Sequence, residues 1–199
     1  MHDARHGAKQ SQPFDPARAA RLDDPARFEY LPPAALVALL DVGEAATLVD
    51  FGAGTAAYAI EIARVRPGAR ILALDENETM LAHARQKIVE KGVPNVTAIG
   101  PSELAPLRGR VDRVLALNVL HELGDAALAE LRGLLVRGGK ALVVDWNADV
   151  ERPHGPPGDR VYGVEEARRR LEENGFREIA SAGFPYHHAF VVVSDANAP

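Results

Sequence analysis

Two acids and a pair of glycines carry the most chemistry in this chain. In Thr47-Leu48-Val49-Asp50-Phe51-Gly52-Ala53-Gly54-Thr55 an apolar run holds an acid near its end, a Gly-x-Gly turn follows, and a helical pattern starts at once. Glycines let the backbone turn tightly and let a ligand approach with no Cβ in the way. The first turn of the helix then offers unpaired N–H groups. Asp75 ends the next apolar run, Arg70-Ile71-Leu72-Ala73-Leu74. That spacing suits an acid meeting ribose hydroxyls in a βαβ nucleoside site. Histidine supplies the base candidates, because its charge changes near neutral pH. His121 follows the run Val111–Leu117, and His154 lies in the stretch Arg152-Pro153-His154-Gly155-Pro156-Pro157-Gly158. His121 reads equally as a residue capping a turn, and His154 as a loop histidine. His187 and His188 read as a strand pair, one ring inward and one outward. Asp145 and the histidines match no metal-ligand spacing, so no metal is expected.

The elements that must position these groups alternate regularly. Strands are predicted at 47–51, 70–75, 95–99, 111–117 and 140–146, with helices at 55–65, 77–91 and about 125–136 between them. Gly100 to Arg110 is a loop. After Trp146 a Pro/Gly-rich connection leads to a helix at 164–174 and two strands, 176–182 and 186–193. Only Gly183-Phe184-Pro185 separates those two strands, too few residues for a parallel crossover, so they form an antiparallel hairpin. The expected fold is α/β: a Rossmann-like, doubly wound, mostly parallel seven-stranded sheet with a C-terminal antiparallel hairpin. Residues 1–13 are expected to be a disordered tail. Residues 14–44 carry Asp15-Pro16, Asp24-Pro25 and Pro32-Pro33 but no strand signal, and are expected to form an N-terminal helical cap. Residues 45–194 form the main domain.

Ligands in open α/β sheets sit outside the carboxyl ends of the parallel strands. His121, Asp145, Trp146, His154, Tyr186 and His187 all map to that edge and are the candidates for a substrate mouth. Phe28 and Tyr30 of the cap could cover it or pack on the sheet.

Composition narrows the partners. The chain has no cysteine, which excludes disulfides, thiolate metal sites and Cys nucleophiles. Net charge is −5 with no long Lys/Arg cluster, which argues against nucleic acid and anionic membranes and leaves a small molecule as partner. No run of about 18 apolar residues appears, and the first ten residues lack a signal's apolar core, so a cytoplasmic location is the default. Oligomeric state is not legible.

Gly52, Gly54 and Ala57 also fit the dinucleotide pattern Gly-x-Gly-x-x-Gly/Ala literally, so an NAD(P)-binding protein is a rival. Asp50 favours a site for a cationic amino-acid group instead, since beside a pyrophosphate it would repel. Asp50-Phe51-Gly52-Ala53-Gly54-Thr55, then Asp75, then Asn118-Val119-Leu120-His121-Glu122-Leu123, resembles the class I S-adenosylmethionine-dependent methyltransferase family. The similarity is greatest to its ubiquinone/menaquinone-biosynthesis-methyltransferase-like branch. Leu134-Leu135-Val136-Arg137-Gly138-Gly139-Lys140 resembles that family's turn before the fifth strand. The resemblance implies S-adenosylmethionine as methyl donor and S-adenosylhomocysteine as product. It places Asp50 and the backbone of Gly52, Ala53 and Gly54 along the methionine part. It places Asp75 on the ribose hydroxyls, Glu76 and Met80 beside the adenine, Ser102 and Glu103 at the adenine amine, and Asn118 and Val119 under the cofactor. Ala56 stands where the family usually has a third glycine, and Pro101 where many relatives carry an acid. The implied reaction is in-line methyl transfer to a small molecule. A cofactor-binding but catalytically silent regulatory protein is the other rival.

Overall fold

Strand β1 (Thr47–Phe51) buries Leu48 in one apolar cluster and Val49 in another, so both of its faces are covered. The same alternation runs through the strands beside it. Leu115, Leu142, Val144 and Val191 join Leu48, whereas Val114, Val143, Phe190 and Val192 join Val49. Burying a side chain of this kind contributes about 1.5–3 kcal/mol each, which is why near-continuous apolar runs settle as a sheet sandwiched between helices. The computed structural model describes residues 7–9 and 16–194. It shows one seven-stranded sheet of order β3-β2-β1-β4-β5-β7-β6. The remaining strands are β2 (Arg70–Leu74), β3 (Val96–Ile99), β4 (Val111–Leu117), β5 (Leu135–Trp146), β6 (Phe176–Gly183) and β7 (His187–Ser194). Strands β1 to β5 pair in parallel, and β7 runs antiparallel to both β5 and β6.

Helices α2 (Pro33–Leu40), α3 (Ala57–Val65) and α4 (Glu78–Lys91) contribute to the cluster around Leu48. Helices α5 (Asp125–Leu134) and α6 (Val164–Glu173) cover the opposite face with Leu128, Leu131, Ala167 and Leu171. The caps follow local rules. Asn77 Oδ1 accepts from the Thr79 and Met80 N–H groups at the start of α4, and Gly92 ends it in the left-handed conformation.

The structure departs from the sequence expectation in three places. The helix expected to reach Val136 stops at Leu134, and β5 begins at once. Leu135 pairs with Val111, the ladder resumes at Lys140 opposite Arg113, and residues 136–139 bulge between them. The N-terminal cap is less helical than expected: Pro16–Asp23 is a 3-10 run, α1 spans only Arg27–Tyr30, and α2 alone is a full helix. Third, His187 and His188 do not split into one inward and one outward ring. Both are buried, because β7 is an inner strand covered on both faces. The expected disordered tail falls mostly outside the described residues. Of the described part, the Gly7 carbonyl accepts from Tyr162 Oη at 3.0 Å and Lys9 pairs with Glu166 at 2.6 Å, on α6.

Candidate functional site

The carboxyl ends of β1, β2 and β4 converge through main-chain contacts. After β1 the Gly52 and Ala53 N–H groups both donate to the Leu74 carbonyl, at 2.9 and 2.8 Å. Gly52 has φ +79°, and a Cβ there would stand 2.7 Å from Val119 Cγ1, so the loops after β1 and β4 touch where only hydrogen fits. Asp75, at the end of β2 on the other side of β1 from β4, is tied to the glycine loop. Its Oδ2 accepts from the Gly54 N–H at 2.7 Å and its Oδ1 from the Asn77 N–H at 2.9 Å. A carboxylate has about four lone-pair sites, so acceptor capacity remains. Burial pushes the Asp75 carboxyl up, and those two N–H groups partly hold it down.

Asp50 is only 2% exposed. Burial, then the nearby Asp75 charge, push its pKa up to about 7, against the pull of the Arg27 guanidinium. Asn118 adopts a left-handed conformation with φ 59°, and its N–H is tied to the Val144 carbonyl at 2.7 Å. Its Oδ1 is buried with no hydrogen-bond partner. Ala56 also takes the left-handed conformation, φ 59°, with its methyl fully buried in the core. Met80 is buried, while Glu76, Pro101, Ser102 and Glu103 are exposed. Glu103 turns back on its own loop, its Oε2 accepting from the Gly100 N–H at 2.9 Å.

The cap crosses this crevice. Leu22 lies so close over Gly54 that a Cβ on that glycine would meet Leu22 Cδ1 at 2.7 Å. Asp23 Oδ1 accepts from Thr55 Oγ1 at 2.5 Å and from Lys87 Nζ on α4. Arg27 lies over the Tyr58 ring, 5.0 Å from its centroid, and donates to the Leu22 carbonyl at 2.5 Å. Sequence reasoning missed Asp23 and Arg27, and read Leu22 only as a packing residue without a partner. The Asp-Pro pairs mark turns there, but nothing local says which loop the turns reach.

At the ends of β4 and β5 lies a second group. His121 is 2% exposed and Asp145 has no exposed surface. The His121 Nδ1 is 2.9 Å from both Asp145 oxygens, and the His121 N–H donates to Asp145 Oδ2 at 2.8 Å. The Trp146 N–H donates to Asp145 Oδ1 at 2.8 Å. Burial alone would lower the His121 pKa, but the Asp145 charge and hydrogen bond outweigh it and raise it. Burial alone would raise Asp145, but His121 outweighs it and the carboxyl is held low. This pair pins the turn after β4 to the end of β5, and Asp145 itself does not line an open mouth.

Beside the pair, aromatic rings from three separate stretches meet. Trp146 and His187 have ring centroids 4.2 Å apart, and Tyr30 lies nearly parallel to His187 at 5.7 Å and 8°. Tyr186 and His154 are within 5.6 and 5.3 Å of Tyr30. So the structure brings together Trp146, His154, Tyr186 and His187, and adds Tyr30 from the cap. Among the described residues no group of three or more His, Cys, Asp or Glu side chains could hold a metal ion. Among them, too, no helix is long and apolar enough to cross a membrane.

A mostly parallel sheet with this strand order, a glycine turn after β1 and an acid after β2 fit a nucleoside-binding methyltransferase domain. The comparisons agree. A family model described as a methyltransferase domain matches residues 49–141. The chain is 32% identical over 118 residues to the ubiquinone/menaquinone biosynthesis C-methyltransferase UbiE of Bordetella parapertussis, covering 56% of this chain and 45% of that protein. It is 31% identical over 110 residues to acetylserotonin O-methyltransferase of Rattus norvegicus, covering 53% and 25%. It superposes on the crystal structure of a SAM dependent methyltransferase from Aquifex aeolicus with TM-score 0.84 and 28% identity, covering 90% of this chain and 98% of that one. The chain spans about half the length of the UbiE proteins it matches, or somewhat less. These likenesses are to class I S-adenosylmethionine-dependent methyltransferases and, among the curated relatives, to ubiquinone/menaquinone biosynthesis C-methyltransferases. The donor set fits that cofactor: a buried acid for its cationic part, an acid with spare lone pairs for its ribose diol, and an unpartnered Asn118 Oδ1 for an N–H group.

Proposed function

We propose that the chain transfers a methyl group from S-adenosylmethionine to a small-molecule acceptor by in-line displacement. The observation that carries this is Asp75, held at the β2 end by the Gly54 and Asn77 N–H groups with acceptor capacity left for a diol. When bound, S-adenosylmethionine supplies a methyl already activated by the sulfonium charge. The protein's own task is to orient two reactants and exclude water. Asp75 fixes the ribose, and Asp50 and the Gly52–Gly54 backbone hold the methionine end. Val119 and Asn118 face the reacting part. The His121–Asp145 pair keeps the β4 and β5 loops in register, so His121 is a positioning residue.

His154 is exposed among the rings at the mouth and is the base for acceptors whose nucleophile carries a proton. His154→Gln is expected to lower kcat by about 10²-fold or more while leaving the melting temperature and S-adenosylhomocysteine affinity unchanged. His121→Asn is expected to lower the melting temperature as well. The relatives' names include both a C- and an O-methyltransferase, so they do not choose the acceptor atom.

Calorimetric titration with S-adenosylmethionine, S-adenosylhomocysteine and NAD(H), on the wild type and Asp75→Ala, tests the proposal. Binding of both sulfur nucleosides, lost in the variant, supports it. Binding of NAD(H) alone overturns it. Tight cofactor binding with no turnover on any acceptor panel would instead favour a silent regulatory protein.

A further inference from the structure

Asp50 and Asp75 make the crevice acidic, and the Asp75 charge helps to push the Asp50 carboxyl up. The cation that pulls the other way comes from the cap: it is Arg27, the first residue of α1. Its guanidinium carbon lies 5.0 Å from the centroid of the Tyr58 ring, in the first turn of α3. The Tyr58 hydroxyl donates to the Arg27 carbonyl at 3.3 Å and to the Leu31 carbonyl at 3.2 Å, which fixes α1 against that turn. The strand that carries Asp50 leads through the glycine loop into the same turn, so guanidinium and carboxyl border one crevice. Arg27 Nη1 donates to the Leu22 carbonyl at 2.5 Å, and Leu22 lies over Gly54. Among the described residues the partners of this side chain are therefore neutral, a carbonyl and a π face. Lys87, by contrast, is paired with Asp23. A guanidinium has more N–H donors than the Arg27 contacts use.

We propose that Arg27 is a specificity-determining residue for the methyl donor, its guanidinium taking the donor's α-carboxylate while Asp50 takes the adjoining α-ammonium. This rests on the methyl-transfer reading and deepens it, because it makes the cap, and not the sheet alone, select which sulfur nucleoside is held. The two charges sit on one carbon of the ligand, so their partners must stand close together, as Arg27 and Asp50 do around the first turn of α3. An α-carboxylate entering beside Asp50 and Asp75 with no cation at hand would be repelled. Guanidinium–carboxylate hydrogen bonds are charge-assisted and can be bidentate, which adds geometric selectivity to the attraction. A nucleoside that keeps the ammonium and lacks the carboxylate leaves Arg27 unpaired beside a second cation, and is selected against. Because the same guanidinium holds the Leu22 carbonyl, the carboxylate also links the ligand to the cover over Gly54.

The test is calorimetry with three probes: S-adenosylhomocysteine, its decarboxylated analogue S-adenosyl-3-thiopropylamine, and 5′-methylthioadenosine, which carries neither charge. Wild type is expected to bind S-adenosylhomocysteine at least about tenfold more tightly than the decarboxylated analogue. Arg27→Gln is expected to bind S-adenosylhomocysteine at least about tenfold more weakly than wild type does. The same variant should bind the decarboxylated analogue as well or better, and 5′-methylthioadenosine unchanged. Arg27→Lys, which keeps the charge without the planar fork, is expected to retain part of the preference. Equal affinity of the wild type for the first two probes overturns the proposal, as does an undiminished preference in Arg27→Gln. So does an equal loss of all three probes in Arg27→Gln, which would make Arg27 a packing residue of the cap. Failure of both S-adenosylhomocysteine and 5′-methylthioadenosine to bind the wild type would overturn the methyl-transfer reading itself, so the two failures are separable.

Discussion

Asp50 keeps a carboxyl group where water does not reach, and burial with a second acid nearby places its pKa at about 7. A cation brought against it favours the charged form and lowers that pKa. At pH 6.5 roughly three quarters of molecules then hold the proton, and a ligand ammonium expels it. Titrating S-adenosylhomocysteine at pH 6.5 in buffers of different ionisation enthalpy is expected to show release of more than half a proton. Asp50→Asn is expected to show none; a wild type that releases no proton would place the amino group elsewhere. Gly52 makes a steric prediction at the same scale. Gly52→Ala must move Val119 Cγ1 and accept φ +79°, an expected loss of about 1–3 kcal/mol. Adding Val119→Ala should relieve the clash but not the backbone strain, so thermal unfolding of the double variant should recover only part of the loss.

At the scale of elements, the cap is tied across the crevice by few groups. Asp23 alone joins Thr55 on the glycine loop to Lys87 on α4, and Leu22 lies over Gly54. Asp23→Ala should therefore loosen the cap without disturbing the sheet. The expected result in stopped-flow displacement is faster S-adenosylhomocysteine release, by about tenfold for the order of 1.4 kcal/mol lost from the closed state. An unchanged release rate would make the cap a static cover. The strands and helices of the main domain were legible because their periodicity is strong and their stops are Gly and Pro. The cap was legible only as a region without strands, since Asp24-Pro25 sets a turn but not its destination. The inward turn of both His187 and His188 was illegible for a related reason. Alternation assigns one ring to each face, and only the pairing of β7 between β5 and β6 says that both faces are covered.

For the whole molecule, opposed buried groups shape stability against pH. His187, held near 3, and His188, also lowered by burial, take up protons more readily when unfolded. They therefore remove stability as pH falls below about 6.5. Asp50, raised to about 7, binds its proton more tightly when folded and adds stability as pH falls from 7 toward 4. Between pH 7 and 5 the His187 and Asp50 effects are each on the order of 2 kcal/mol and opposite in sign, with His188 adding to the loss and Asp75, also raised by burial, to the gain. His187→Phe loses no hydrogen bond and should become more stable at pH 5 than at pH 7 relative to the wild type. Asp50→Asn should do the reverse. Chemical denaturation of the three proteins at both pH values checks the sign. His121, raised by Asp145, adds stability that is lost as pH rises through its folded pKa, and Asp145 adds stability lost as pH falls through its lowered one. The Asp145 change lies below the pH 5–7 window.

By itself the sequence determined the α/β class, the seven strands, the terminal hairpin and the pair Asp50 and Asp75. These follow from periodicity, turn chemistry and chain spacing, all of which act over short separations. Only the tertiary structure decided that Asp145 is sealed behind His121, that Asp23 ties the cap across the crevice, and that Tyr30 and Arg152 pack onto the cluster of Trp146, His154, Tyr186 and His187. Those contacts join segments up to about 160 residues apart, and which of them form is set by how the two apolar faces of the sheet are covered.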